Sequence, residues 1–319
     1  MGRLIRRTAI LAKVEQTYNT DPTPTGADNA VLVSNASFNV VYNNVNRNLI
    51  RVNLGGSEQL AGTRFVEATF DVELANSGTA GTAPAWSPLL QACGFAESVL
   101  TTPARVEFTP VSASFKSLTI YYHVDGVLRK ITGAMGNVEF MLNEGDRPMM
   151  RFSFVGLDSG FTATGDPSLT LTAWKVPSVV SDVNSGDINL GCTYAAGAFT
   201  SGTVYPSRGL QINAGNTIAR KAILGGQSVS ITQRDVTGSC QLELTASQEV
   251  TFQTDINGNT TTTLGFTHST GAGVGIMLHA PRVQRTDPTD VDYEGEVHRG
   301  LSLRFVPSSG NDELRLVCL

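Results

Sequence analysis

Only 16% of the 319 residues are charged and 7% aromatic, and cysteine and histidine occur four times each. Each shortage removes a class of protein. Cys93, Cys192, Cys240 and Cys318 stand far apart with no CxxC pair. That excludes a zinc ribbon and a dense disulfide framework, and the four read as small buried apolar residues in a reducing compartment. No stripe of Lys and Arg interleaved with aromatics is present. Residues 1–160 carry 13 basic and 14 acidic groups, and residues 161–319 carry 10 and 14, so neither half is suited to gripping nucleic acid. The basic opening Met1-Gly2-Arg3-Leu4-Ile5-Arg6-Arg7 leads into an apolar run broken by Lys13 and Glu15. It is neither a secretory signal nor a membrane span, and the chain reads as soluble with no membrane partner.

Catalytic signatures are missing as well. There is no GxSxG elbow, P-loop or HExxH. Leu54-Gly55-Gly56 and Leu224-Gly225-Gly226 read as turn glycines, because no helix follows either to make a phosphate cradle. His123, His268, His279 and His298 lie apart and read as structural. The acidic run from Asp287 to Glu296 lacks the ordered ligands and central glycine of an EF-hand, so a solvated loop is expected rather than a calcium site. No catalytic, cofactor-binding or metal-ligating residue is assigned, no cofactor is expected, and the chain is read as not an enzyme. A carbohydrate-active enzyme would need a working pair of carboxylates, and nothing marks one.

What the sequence has is β-structure. Hydrophobic residues make up 41%, with 32 glycines among many Ser, Thr and Asn. Residues 15–30 hold Pro22 and Pro24 in a polar run, and the whole stretch 1–30 is read as an extended arm. In Val66–Leu74, Val66, Ala68, Phe70, Val72 and Leu74 share one face, while Glu67, Thr69, Asp71 and Glu73 share the other, as in a half-buried strand. Further strands are predicted at 105–109, 115–124, 127–132, 136–142, 149–155, 169–175, 248–256, 260–267, 274–284 and 299–306. Hairpin turns are predicted at Asp125-Gly126 and at Asn257-Gly258. One short helix is predicted over 87–94, capped by Ser87, opened by Pro88 and ended by Gly94.

An internal repeat organises the chain. Leu54–Leu74 aligns without gaps with Leu224–Leu244, and the identities include Arg64 with Arg234, Val66 with Val236 and Glu73 with Glu243. The alternation keeps its phase: Thr237, Ser239, Gln241 and Glu243 take the polar face of the second copy. A weaker echo sets Met149–Phe154 against Leu301–Val306. Two tandem β-domains follow, over residues 31–165 and 201–319, joined by connecting strands at 166–200. The second is expected to lack the 87–94 helix.

The strand Val66–Leu74, the loop Ser77-Gly78-Thr79-Ala80-Gly81-Thr82-Ala83-Pro84 and the segment Pro88-Leu89-Leu90-Gln91-Ala92-Cys93-Gly94-Phe95 resemble the tail tube (major tail) proteins of long non-contractile-tailed bacteriophages, the siphophages, in a tandem two-domain version. So do the opening Met1–Arg7, Ala12–Tyr18, Asp21–Thr25, Gly136-Asn137-Val138 and Arg151-Phe152-Ser153-Phe154-Val155-Gly156. The resemblance implies a mainly β fold of two sandwich-like, barrel-forming domains. Their sheets join those of neighbours in rings that stack into a hollow tube, through which DNA passes without specific binding. It implies residence in the virion tail after assembly in the host cytoplasm. The partners implied are further copies of the chain and the tail terminator, tape measure and distal tail proteins. One-domain relatives place six tube domains in a ring, so three chains with pseudo-sixfold symmetry are expected here. Glu67, Thr69, Asp71, Glu73, Thr237, Ser239, Gln241 and Glu243 are the candidates for lining the lumen, and none is basic. Arg3, Arg6, Arg7, Tyr18, Pro22 and Pro24 are candidates for an arm between subunits. Removal of residues 1–24 is expected to leave a folded monomer unable to form tubes. The competing reading is another tail, baseplate or receptor-binding β-protein, although neither fibre repeats nor a sugar-binding aromatic cluster is present.

Overall fold

The computed structural model describes residues 2–319. The first half runs β1 (Thr8–Val14), β2 (Ala30–Val31), β3 (Ser34–Tyr42), β4 (Val45–Asn46), β5 (Gln59–Leu60), β6 (Arg64–Glu73), α1 (Ser87–Gln91), β7 (Phe95–Thr101), β8 (Ala104–Pro110), β9 (Leu118–Val124), β10 (Val127–Asn143) and β11 (Met149–Ala163). The second runs β12 (Ile188–Leu190), β13 (Thr193–Ala195), β14 (Ala198–Thr200), β15 (Thr203–Tyr205), β16 (Ser207–Asn213), β17 (Asn216–Ile223), β18 (Gly226–Arg234), β19 (Thr237–Glu243), α2 (Ala246–Asn257), β20 (Thr261–His268), β21 (Ile276–Tyr293), β22 (Glu296–Phe305) and β23 (Arg315–Cys318).

Local chemistry explains most of these elements. The apolar alternation of β6 buries Val66, Ala68, Phe70 and Val72. Asp125 and Gly126 both take positive φ, 38° and 82°, and close the β9–β10 hairpin as a type I′ turn requires. Gly94, at φ 78°, turns the chain after α1, but Ser87 does not cap that helix. The Ser87 hydroxyl instead faces Glu97 and accepts from Gln91 Nε2 at 2.9 Å.

Three further expectations fail locally. Residues 248–256 are helical, not a strand, because Thr245 and Gln248 form a reciprocal capping box that starts α2. Asn257-Gly258 ends that helix, with Gly258 at φ −84°, and so makes no hairpin turn. Residues 169–175 form no strand: they run exposed over the surface, anchored by the Trp174 indole N–H donating to the Ala30 carbonyl at 2.9 Å.

Each half has two layers that share its longest strands. In the first, β3–β6–β11–β10 make one layer and β10–β9–β1–β2 the other. β10 passes between them at an irregularity where Gly133 takes φ 58°. In the second half, β16–β19–β22–β21 and β21–β20–β12–β15 repeat the order. The helices correspond as well, α1 following β6 and α2 following β19, so the second half does not lack a helix. β11 and β22 occupy equivalent places, but the echo of Met149–Phe154 in Leu301–Val306 is displaced by three residues from the structural equivalence and so matches residues on opposite faces. Phe152 lies opposite Phe70, and Leu301 lies opposite Cys240, the repeat partner of Phe70.

The halves are fused twice. β10 pairs with β16, which makes β3–β6–β11–β10–β16–β19–β22–β21 one antiparallel sheet of eight strands. The β7–β8 hairpin joins the second half through β23, which lies between β8 and β21. One continuous apolar cluster runs through both halves, from Ile10 and Phe70 to Leu303 and Cys318.

The amino-terminal stretch is not a free arm. β1 pairs along its whole length with β9 and buries Ile10, Leu11 and Ala12. The buried Glu15 carboxylate accepts from the Ser117 and Thr119 hydroxyls and the Gly133 amide at 2.6–2.7 Å. Removal of residues 1–24 therefore takes a core strand away.

Candidate functional site

The surface that sets this chain apart is the uncovered face of the eight-stranded sheet. Strand register places residues directly opposite one another on one face. One row reads Asp71, Arg151, Glu139, Asn213, Thr237, Arg304 and Gln284 across neighbouring strands. The next reads Glu73, Met149, Met141, Gln211, Ser239, Ser302 and Thr286. Glu67 and Thr69 lie on the same face beside Val155 and Ser153, and Gln241 and Glu243 beside Gly300 and His298. All eight sequence candidates thus share a single face.

Their surroundings differ. Glu67, Thr69, Ser239 and Glu243 are exposed, and Thr237 and Gln241 half-buried. Glu73 pairs with Arg147 at 2.8 Å. Asp71 is buried: Arg151 Nε lies at 2.9 Å and Asn35 Nδ2 donates at 2.9 Å. Burial would raise the Asp71 carboxyl, but the hydrogen bonds from Arg151 and Asn35, with the Arg151 charge, outweigh it and hold it below the ordinary carboxylate range. The candidates themselves are acidic or neutral, yet Arg151 and Arg304 complete their rows, so the face is polar and of mixed sign. Its central depression, 510 Å³, is lined by groups such as Asn143, Gln211, Gln241 and Ser302. The lining also holds Glu144, Asp287 and Cys240, and no side-chain hydrogen bond joins Ser239, Ser302 or Cys240 to either carboxylate.

The candidate arm residues are mostly held by their own chain. Arg3 Nε donates to the Asp125 carbonyl at 3.1 Å, and Arg7 pairs with Asp125 at 2.8 Å and Asp166 at 3.0 Å. Tyr18 Oη accepts from the Val229 amide at 2.6 Å, the Pro22 carbonyl accepts from Lys13 Nζ at 3.1 Å, and Pro24 is buried. Arg6 is exposed.

Two protrusions were not read from the sequence. Residues 43–63 carry Ile50, Val52 and Leu54 at 103%, 105% and 106% exposure, the values of side chains with nothing packed on them. The β17–β18 hairpin occupies the matching place in the second half. It lays Val229 and Ile231 against Met135, Phe115, Val155 and Leu157 of the first. The repeated Leu-Gly-Gly tripeptides lie in these two protrusions, which was the available signal.

The remaining chemistry-bearing residues are packed. All four cysteines are free and buried; burial pushes the Cys240 thiol up to about 12, with Arg285 opposing it. All four histidines are buried, and burial with the nearby Arg315 charge lowers His279 to about 4. The acidic run is not a loop but the tip of the β21–β22 hairpin. Among the described residues no cluster of His, Cys, Asp or Glu is placed to hold a metal, and no helix is long and apolar enough to cross a membrane.

A comparison with curated proteins finds no match. A comparison with protein families matches residues 5–305, nearly the whole chain, to the phage tail tube proteins. That is a structural family of the virion tail and not a family of enzymes. The continuous β-sheet with its polar open face and the extent of that match lead to one conclusion: the chain belongs to the phage tail tube protein family.

Proposed function

We propose that three copies of this chain close into a ring, and that rings stack into the tube that conducts phage DNA. The carrying observation is the eight-stranded sheet, built from two four-stranded units joined edge to edge at β10 and β16. The β10–β16 junction turns two tube domains into one subunit, so three chains supply six domains in pseudo-sixfold array. The inner barrel then has twenty-four strands. With strands about 4.8 Å apart and tilted about 40°, it is roughly 48 Å across between backbones, wide enough for an aqueous channel. The two halves are the units of that array, their expected bounds of 31–165 and 201–319 widened to take in β1 (Thr8–Val14) and β12 (Ile188–Leu190).

The open face of the sheet lines the channel, with Glu67, Thr69, Asp71, Glu73, Thr237, Ser239, Gln241 and Glu243 on it. Arg151 is matched by Asp71 and Arg304 by Asp235, while Arg208, in the wall of the central depression, stacks over the Tyr293 ring. A polyanion passing through therefore meets few unmatched positive charges to bind. At its ends the tube meets the tail terminator and distal tail proteins, with the tape measure inside during assembly in the host cytoplasm. Electron microscopy of assembled tubes tests the reading: three chains per ring are expected. Six whole chains per ring, or a barrel that excludes the β3-to-β21 sheet, would overturn it.

A further inference from the structure

The two halves of the chain provide a template for a contact that one copy leaves open. Ser37, Phe38 and Asn39 lie opposite Thr69, Ala68 and Glu67, as Gln211, Ile212 and Asn213 lie opposite Ser239, Gly238 and Thr237. β3 therefore corresponds to β16. Both strands are irregular just before this stretch, and the residues there, Asn35 and Gly209, take positive φ of 51° and 115°. In the same way Glu139 and Met141, opposite Arg151 and Met149, correspond to Thr289 and Val291, opposite Gly300 and His298.

Within the chain, β10 meets β16 with Glu139 facing Asn213, Met141 facing Gln211 and Asn143 facing Gly209. The equivalent edges, β21 beyond Arg285 and the side of β3 away from β6, carry no strand among the described residues. We propose that β21 pairs antiparallel with β3 of a second copy in the register of the β10–β16 junction: Thr289 faces Asn39, Val291 faces Ser37 and Tyr293 faces Asn35 of that copy. This rests on the ring reading and specifies its seam.

Charge supports the same pairing independently. The Arg129 guanidinium lies over Phe38, Tyr122 and Phe161, 5.5–5.8 Å from each ring centre, and its Nε has no hydrogen-bond partner. The register sets Asp290 against Phe38 and Asp292 against Ala36 of the second copy, on the layer side where Arg129 lies. Arg129, on β10, reaches the β3 edge by stacking over Phe38 and has no ion-pair partner among the described residues of its own chain. Asp290 pairs with Arg299, so Asp292, in no ion pair, is the carboxylate the contact brings toward it. Closing the ring also removes both open edges, which would otherwise be templates for aggregation.

The test is disulfide trapping in assembled tubes of the full chain carrying Ser37→Cys with Val291→Cys. Directly opposed Cβ atoms lie about 4.5–5.5 Å apart and diagonal ones about 7–8 Å, so only the correct register oxidises readily. The native cysteines are buried and do not compete. Oxidation should give a covalent ladder ending at three chains, as should the second in-register pair, Asn39→Cys with Thr289→Cys. The slipped pair Asn39→Cys with Val291→Cys should link far less. Hydrogen exchange on the unmodified protein gives a readout free of mutation, since amides at 35–39 and 289–293 should gain protection on assembly. Tubes that trap the slipped pair preferentially, or leave both segments unprotected, overturn the register while the ring stands. Wild-type rings with another number of chains overturn the ring reading itself.

Discussion

Reversing charge on the open face separates a channel lining from an outer surface. Glu67 and Glu243 are the suitable positions, because both are exposed and neither is tied up as Glu73 is with Arg147 or Asp71 with Arg151. Glu67→Lys with Glu243→Lys should each change stability by no more than about 0.5 kcal/mol. Asp71 is left alone: without it Arg151 and Asn35 lose their acceptor, at a cost of about 1–3 kcal/mol. In a three-chain ring the double variant places six lysines around the channel. Each lysine that contacts a phosphate steepens the salt dependence of binding by roughly 0.9 in log–log slope, so about six contacts amount to a 10³-fold or larger change between 50 and 200 mM salt. Phage carrying the variant should assemble normal tails and eject DNA slowly at low salt, with the rate recovering as salt rises. Ejection is followed by dye fluorescence after receptor triggering. Intact tails that eject at the wild-type rate at low salt would refute the assignment of this face to the lumen.

Deletion of residues 1–14 removes β1, with Ile10, Leu11 and Ala12, and should abolish the cooperative melt rather than leave a folded monomer, as circular dichroism would show. Replacing Ile50, Val52 and Leu54 together by Ser should leave the melting temperature of the monomer unchanged, because all three are fully exposed, while tube yield by negative-stain microscopy falls. His279 is held at about 4, below an unfolded value of about 6.5. Its contribution is therefore complete above pH 6.5 and is lost as the unfolded chain takes up a proton between pH 6.5 and 4. The loss is at most about 3 kcal/mol; the melting temperature should fall across that window, and His279→Gln should flatten the fall.

Where local pattern and final environment agreed, the sequence was legible. β6 alternates because one face is buried, and Asp125-Gly126 turns because those residues tolerate positive φ. Where two local patterns competed, the reading failed. Val250 and Phe252 alternate as in a strand, but the Thr245–Gln248 capping box fixes a helix, and only Phe252 of α2 is buried. Pro22 and Pro24 suggested an arm, although Thr8–Val14 before them is a central strand covered on both faces around Ile10–Ala12.

The sequence by itself determined the β class, the phase of the two-faced strands, the duplication and the family. These rest on periodicity and short motifs, which neighbours in the chain fix. The tertiary structure alone decided that β10 and β16, some seventy positions apart, share an edge, and that β8 reaches the second half through β23. It also decided that Arg151 and Arg304 enter the rows of acidic and neutral side chains. Hydrogen bonds between strand edges require only backbone groups, which every residue except proline carries alike. Which edges meet is therefore set by the packing of both layers on one core, and not by any local run of residues.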